Sequence, residues 1–205
     1  MGGRVAFWFE FASTYSYLSA MRIERMAAHA GVAIDWHPFL LGPIFQAQGW
    51  DSSPFNIYPA KGRYMWRDME RICAQRDLPF HKPDPFPQNG LLAARLVLAA
   101  QSGDQHADQI GALVRTIYQA QFVRQQDISA TDTLGDCLNG VGLPVHLLDL
   151  AQSDAVKSRL HQQVERAIAH DIFGAPSFVA SKDLFWGDDR LEQALATAGS
   201  GATPF

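Results

Sequence analysis

The chain has 205 residues, 47% of them hydrophobic, with a net charge of -4 and an isoelectric point near 5.9. That length allows one domain, or one domain with a large insertion, and buries enough surface to fold without disulfide staples. The acidic balance and the scattered Lys and Arg argue against a nucleic-acid partner, which needs a basic face. No run reaches the roughly 18 apolar residues that cross a bilayer.

Met1-Gly2-Gly3-Arg4-Val5 leads straight into an apolar strand over residues 4–9, without the apolar core of a signal peptide. A cytoplasmic protein is therefore expected. An amphipathic helix is predicted over about 14–30, ending near Gly31, and a second strand over Val32 to His37. This is a β-α-β unit, which favours parallel pairing and a right-handed crossover. Between them, Ser13 and Ser16 have the spacing of a Cys-x-x-Cys redox pair at a helix start, but carry hydroxyls in place of sulfur.

Pro38 to Pro59 holds six Pro and Gly with aromatics between them and reads as a long loop. From about Lys61 to His170 helical periodicity dominates, with helices predicted over 61–76, 89–102, 105–122, 130–139, 144–150 and 153–170. Asn89, Ser129 or Thr131, and Ser153 are the expected N-caps. Cys73 and Cys137 fall in these helical patterns and read as small buried residues, since a disulfide is not expected in a reducing compartment. The seven histidines are scattered without metal-ligand spacing, so no metal is expected.

Ser177 to Ala180 and Leu184 to Trp186 are predicted strands, followed by a helix over about 188–198. Pro176 stands directly before a strand and after Gly174-Ala175, which suits an edge strand or a cis bond in a tight turn. The order β-α-β, helices, β-β-α is that of a thioredoxin-like α/β fold split by a large all-helical insertion. The expected boundaries are 1–55 and 171–205 for the discontinuous thioredoxin-like part, and 56–170 for the inserted helical part. Gly187 ends a strand and Asp188-Asp189 opens the last helix, where either Asp serves as an N-cap or as a binding carboxylate.

Taken together these segments resemble the 2-hydroxychromene-2-carboxylate isomerases and the related kappa-class glutathione transferases of the DsbA-like thioredoxin superfamily. The resemblance runs from Phe9-Glu10-Phe11-Ala12-Ser13-Thr14-Tyr15-Ser16 through Trp36-His37-Pro38-Phe39-Leu40-Leu41-Gly42 and Pro59-Ala60-Lys61-Gly62-Arg63-Tyr64. It ends in Phe173-Gly174-Ala175-Pro176-Ser177-Phe178 and Phe185-Trp186-Gly187-Asp188-Asp189-Arg190-Leu191. Thr14 stands where these families have proline, His37 where they have arginine, and Asp188 where they have glutamine or serine.

The resemblance implies an enzyme that uses glutathione as cofactor and acts on a small aromatic carboxylate, and the absence of Cys-x-x-Cys speaks against a DsbA-type oxidoreductase. It implies Ser13 as the catalytic residue that holds the glutathione thiolate. It also implies a cis Pro176, with the Ala175 backbone beside the cysteinyl part, and Asp188 or Asp189 beside the γ-glutamyl end. Ser52 and Lys61 are candidates for the glycyl end, and His37, Phe39 and Tyr64 for the substrate. A homodimer is expected. Conjugation of an electrophile by a kappa-like transferase and a non-redox peptide-binding domain are the alternatives.

Overall fold

The computed structural model describes residues 2–200. The first strand, β1 (Arg4–Phe9), leads into α1 (Thr14–Ala20), α2 (Ile23–Ala30) and β2 (Ala33–Pro38). Then follow α3 (Leu41–Ala47), α4 (Pro54–Ile57), α5 (Pro59–Gln75), α6 (Leu91–Ala100), α7 (Ile110–Phe122), α8 (Thr131–Gly140), α9 (Leu147–Ala151) and α10 (Asp154–Ala169). The chain closes with β3 (Ser177–Ala180), β4 (Asp183–Trp186) and α11 (Leu191–Gly199). Among the described residues the sheet has four strands in the order β2-β1-β3-β4, with β1 parallel to β2 and antiparallel to β3. This is the DsbA-like thioredoxin architecture that the sequence predicts. No helix of the described residues is long and apolar enough to cross a membrane.

The alternation of β1 separates two cores. Phe7 and Phe9 point to one face with Phe11 and Phe178; the Phe7 and Phe178 rings stack at 5.3 Å. Helix α7 delivers Tyr118 and Phe122 to the same core, with Tyr118 at 5.0 Å from Phe11 and Phe122 at 5.1 Å from Tyr17. The helical stretch and the sheet are thus held by continuous aromatic packing, each pair adding about 0.5–1.5 kcal/mol beyond its buried area. Trp8 points to the other face, where it packs with Phe39, Leu41, Ile44, Ala167 and Ile172. Cys73 and Cys137 are free and buried, and burial pushes the Cys73 thiol up to about 11.

Three local expectations are corrected. The predicted 14–30 helix is two helices, broken at Met21–Arg22; the second ends at Gly31 as foreseen, and Gly31 takes a left-handed conformation there. The 38–59 loop contains α3 and α4: Gly42 and Pro43 lie in the first turn of α3, where a missing N–H costs nothing. Ala130 rather than Ser129 or Thr131 holds the cap position of α8, whereas Ser153 caps α10 through the Val156 N–H.

The break in the first helix has a tertiary cause. The Asp188 carboxylate is buried at 4% exposure and collects donors from three segments. Ser19 Oγ donates to Oδ1 at 2.9 Å and Arg22 Nε to the same oxygen at 3.2 Å. Arg76, just past α5, donates to Oδ2 at 2.7 Å, and Arg22 Nη2 also reaches the Asp188 carbonyl at 2.6 Å. Straightening the helix through Met21 and Arg22 would reorient both α1-side donors.

Removing one side of a buried ion pair strands the other charge. Asp188→Ala should therefore cost about 3 kcal/mol, a fall of roughly 6–12 °C in Tm for a chain of this size. Urea denaturation checks it; a loss below about 1 kcal/mol would show that the two arginines are content with solvent.

Candidate functional site

The site forms where β1 ends and the turn before β3 approaches it. Ser13 has extended backbone angles and caps α1, its Oγ accepting from the Ser16 N–H at 3.2 Å. The same hydroxyl donates to the Ala175 carbonyl at 2.8 Å, a contact between residues far apart in sequence. The Ala175–Pro176 bond is cis. The Pro176 carbonyl in turn accepts from the Gly187 N–H at 2.9 Å, which brings the Gly187–Arg190 turn to the same place. Gly187 needs to be glycine there: its φ is +108°, and a Cβ would meet the Asp189 carboxylate.

The two neighbouring aspartates have separate environments. Asp188 is committed to Ser19, Arg22 and Arg76, so the structure takes it out of contact with any ligand. Asp189 is open, with 73% of its side chain exposed, and pairs with Arg190 at 3.0 Å. The difference lies in the donors, Ser19, Arg22 and Arg76, that reach Asp188 alone. Ser16, the other serine of the pair, is fully buried on the inner side of α1 beside Tyr118.

The substrate candidates divide in the same way. Phe39 is completely buried against Trp8, with ring centroids 6.0 Å apart, and has no surface to offer. His37 stacks on the other side of Trp8 at 4.4 Å and lines a cavity whose walls include neither Ser13 nor Ala175. Burial, reinforced by the nearby Arg166 charge, lowers the His37 pKa to about 4. Tyr64 is exposed and close enough to Tyr15 of α1 to raise that phenol's pKa. Ser52 accepts a hydrogen bond from Asn56 Nδ2 at 3.1 Å, and the Lys61 ammonium sits 4.8 Å from the Tyr58 ring centroid. Neither hydrogen-bonds to Ser13 among the described residues.

Four residues near the site were not singled out from sequence. The Tyr15 hydroxyl donates to Asp68 at 2.9 Å; burial first, and then Asp68, hold this phenol protonated. Phe173 and Trp186 are exposed large apolar residues in edge-to-face contact at 4.9 Å. The Trp186 indole covers Gly174, where a Cβ would run into it. Both aromatics flank Gly174-Ala175-Pro176 and were visible as parts of the two quoted motifs, whereas nothing near Asp68 in the sequence marks it.

Glu10 is the fifth. An acid closing the otherwise apolar run Phe7–Phe11 was the available signal. Its Oε2 accepts from the Leu41 N–H at 3.1 Å, and its carbonyl accepts from the Ser13 N–H at 3.0 Å and the Tyr118 hydroxyl at 2.9 Å. Among the described residues no cation pairs with it. Burial raises its pKa to about 7, with the Leu41 N–H pulling the other way. The folded protein thus holds a proton at Glu10 that the unfolded chain has lost between pH 4.5 and about 7. Stability of the wild type relative to Glu10→Gln should fall as pH rises through that window and level off above it. Denaturant melts of both proteins across the range test this, and a gap independent of pH would mean an ordinary carboxylate.

With this geometry in hand, the comparisons with known proteins are informative. A 2-hydroxychromene-2-carboxylate isomerase of Sphingobium xenophagum is 27% identical over 190 residues, covering 92% of this chain and 94% of that protein. Human glutathione S-transferase kappa 1 is 24% identical over 200 residues, covering 92% of this chain and 87% of its own length. The solved structure of a 2-hydroxychromene-2-carboxylate isomerase superposes with a TM-score of 0.83 at 23% identity, over 96% of this chain and 95% of the other. The profile of the DSBA-like thioredoxin domain matches residues 4–197, nearly the whole described chain, and the protein belongs to that family.

Proposed function

We propose that this protein is a glutathione-dependent isomerase that converts 2-hydroxychromene-2-carboxylate, or a close aromatic relative, to the trans-o-hydroxybenzylidenepyruvate form. The observation that carries the reading is the Ser13 hydroxyl, held 2.8 Å from the Ala175 carbonyl beside Pro176 where a disulfide-exchange protein would place sulfur. The similarity to named isomerases over almost the full chain supports the reaction class. On this reading the protein works in the cytoplasm as a homodimer, in the breakdown of aromatic hydrocarbons.

The chemistry supplied by bound glutathione is reversible addition of its thiolate to the conjugated substrate, so that the former double bond rotates before elimination restores the cofactor. Ser13 stabilises that thiolate. A free thiol titrates near 8.5 and is only a few per cent ionised at neutral pH. With glutathione bound, the Ser13 hydroxyl would donate to the sulfur in place of the Ala175 carbonyl, and a hydrogen bond to a charged acceptor is worth roughly 1.5–3 kcal/mol. The Ala175 carbonyl would then be available to the cysteinyl N–H of the cofactor. The exposed carboxylate of Asp189 would pair with the γ-glutamyl ammonium. Ser52 and Lys61 are assigned to the glycyl carboxylate. Tyr64, Phe173 and Trp186 supply exposed ring surface for the aromatic part of the substrate.

A second reading, conjugation of an electrophile by a kappa-like transferase, is favoured by the 24% identity to the human kappa enzyme. The two differ in what happens to the thiol. Incubation with glutathione and chromene carboxylate should isomerise the substrate with free thiol unchanged; stoichiometric thiol loss would favour the transferase.

Ser13→Ala should lower the isomerisation rate about ten- to a hundredfold, since each 1.36 kcal/mol is about tenfold. Its stability loss should be only about 1 kcal/mol, the usual effect of removing an N-cap. Asp189→Ala should weaken glutathione binding in calorimetry while leaving the melting curve unchanged. Equal affinity in the variant removes Asp189 from the site.

A further inference from the structure

A cavity of about 600 Å³ lies beside the free edge of β2, closed by α6 and α10. This volume is in the range of small-molecule sites, about 300–1,000 Å³. None of its lining residues belongs to the Ser13 site. Its charge and its hydrogen-bonding groups are arranged in a way that no step of the proposed reaction uses.

Helix α10 presents Arg159, Gln162, Gln163 and Arg166 to this cavity, at the spacing i, i+3, i+4, i+7 that puts four residues on one face. The single acid in the lining, Asp35, is already paired with Arg4. Arg159 and Arg166 therefore bring positive charge without a carboxylate partner among the described residues. Arg159 is anchored through one nitrogen, which donates to the Leu98 carbonyl at 2.8 Å and the Ser102 hydroxyl at 2.6 Å. Its remaining N–H groups make no hydrogen bond among the described residues.

A buried amide fixes the polarity of the next group. Arg166 Nη1 donates to Gln163 Oε1 at 3.3 Å, which turns Gln163 Nε2 towards His37. That amide nitrogen is 2.8 Å from His37 Nδ1, so the ring nitrogen accepts and the ring proton sits on Nε2. His37 Nε2–H has no protein acceptor among the described residues, and it is not sealed away among the buried unpaired polar atoms. Ile34, Trp36, Leu98 and Ile110 supply the apolar part of the wall, and Gln101 and Gln162 add amides to it.

We propose that this cavity is a second ligand site, for a small organic carboxylate on a flat apolar body, with Arg166, Arg159 and His37 Nε2–H facing the carboxylate and Trp36 and Leu98 the body. Two guanidinium groups and a neutral donor suit an anion, and the one carboxylate of the lining, Asp35, is engaged by Arg4. A purely structural role for Arg166, as a cation in the last turn of α10 lying 5.8 Å over the Trp8 ring, predicts no ligand at all. The site stands whether or not Ser13 activates a thiol.

Titration with 1-naphthoate, followed by tryptophan fluorescence in glutathione-free protein, tests this. Saturable quenching is expected in the wild type, weakened about tenfold by Arg166→Gln and retained within about threefold by Arg166→Lys. The uncharged analogue 1-naphthalenemethanol should bind at least tenfold more weakly, and Ser13→Ala should titrate like the wild type. Circular dichroism confirms that the variants are folded. No saturable signal, equal binding to wild type and Arg166→Gln, equal binding of the alcohol, or loss of the signal in Ser13→Ala would each overturn the proposal.

Discussion

A carboxylate taken out of water must be met by charge or by several donors, and Asp188 is met by both. Its partners come from the end of α1, from the start of α2 and from the residue after α5. One buried group thus ties the end of α1, the start of α2 and the end of α5 to the turn that leads from β4 into α11. That turn carries Asp189 and, through Gly187, is tied to Pro176. The open carboxylate of the candidate site is positioned by the closed one beside it. This also explains why the helix breaks at Met21–Arg22, where the sequence has neither Gly nor Pro.

The fold keeps the geometry of a thiol-handling site and changes its chemistry. Ser13 is half-buried at the N-terminal end of α1 with its hydroxyl on the Ala175 carbonyl, and Ser16 is shut inside. Neither cysteine supplies sulfur to the site: both are buried in the helical part, and the Cys73 thiol is held protonated by burial. A serine can donate to a thiolate but cannot form a mixed disulfide with it, which suits a cofactor that must leave unchanged. Glu10 adds a carboxyl group that is half-protonated near neutrality, linked through its own carbonyl to the Ser13 N–H.

Much of this was legible in the residues. The apolar alternation of β1 and β3, the left-handed Gly31, the Ser13 cap and the cis Pro176 all leave local marks. The helical connection over 61–170 is legible because its apolar periodicity is long. What failed depended on distant partners. Gly42-Pro43 reads as a break until its place in the first turn of α3 is known. Asp188 and Asp189 look equivalent in sequence and differ only by the arginines that reach one of them. Phe39 and His37 belong to the Trp8 side of the sheet, a placement fixed by the parallel register of Trp8 with His37. Asp68 is one acid among many on an amphipathic helix until Tyr15 is folded against it.

The account rests on the Ser13 hydroxyl as the group that makes bound glutathione ionise. The direct measurement is thiolate absorbance of the bound cofactor as a function of pH, in the wild type, Ser13→Ala and Ser16→Ala. The wild type and Ser16→Ala should titrate below the free-thiol value of about 8.5. Ser13→Ala should titrate about one to two pH units higher than the wild type, from a lost hydrogen bond of roughly 1.5–3 kcal/mol. Coincident curves for the wild type and Ser13→Ala would contradict the account, and a shift in Ser16→Ala alone would assign the role to the other serine.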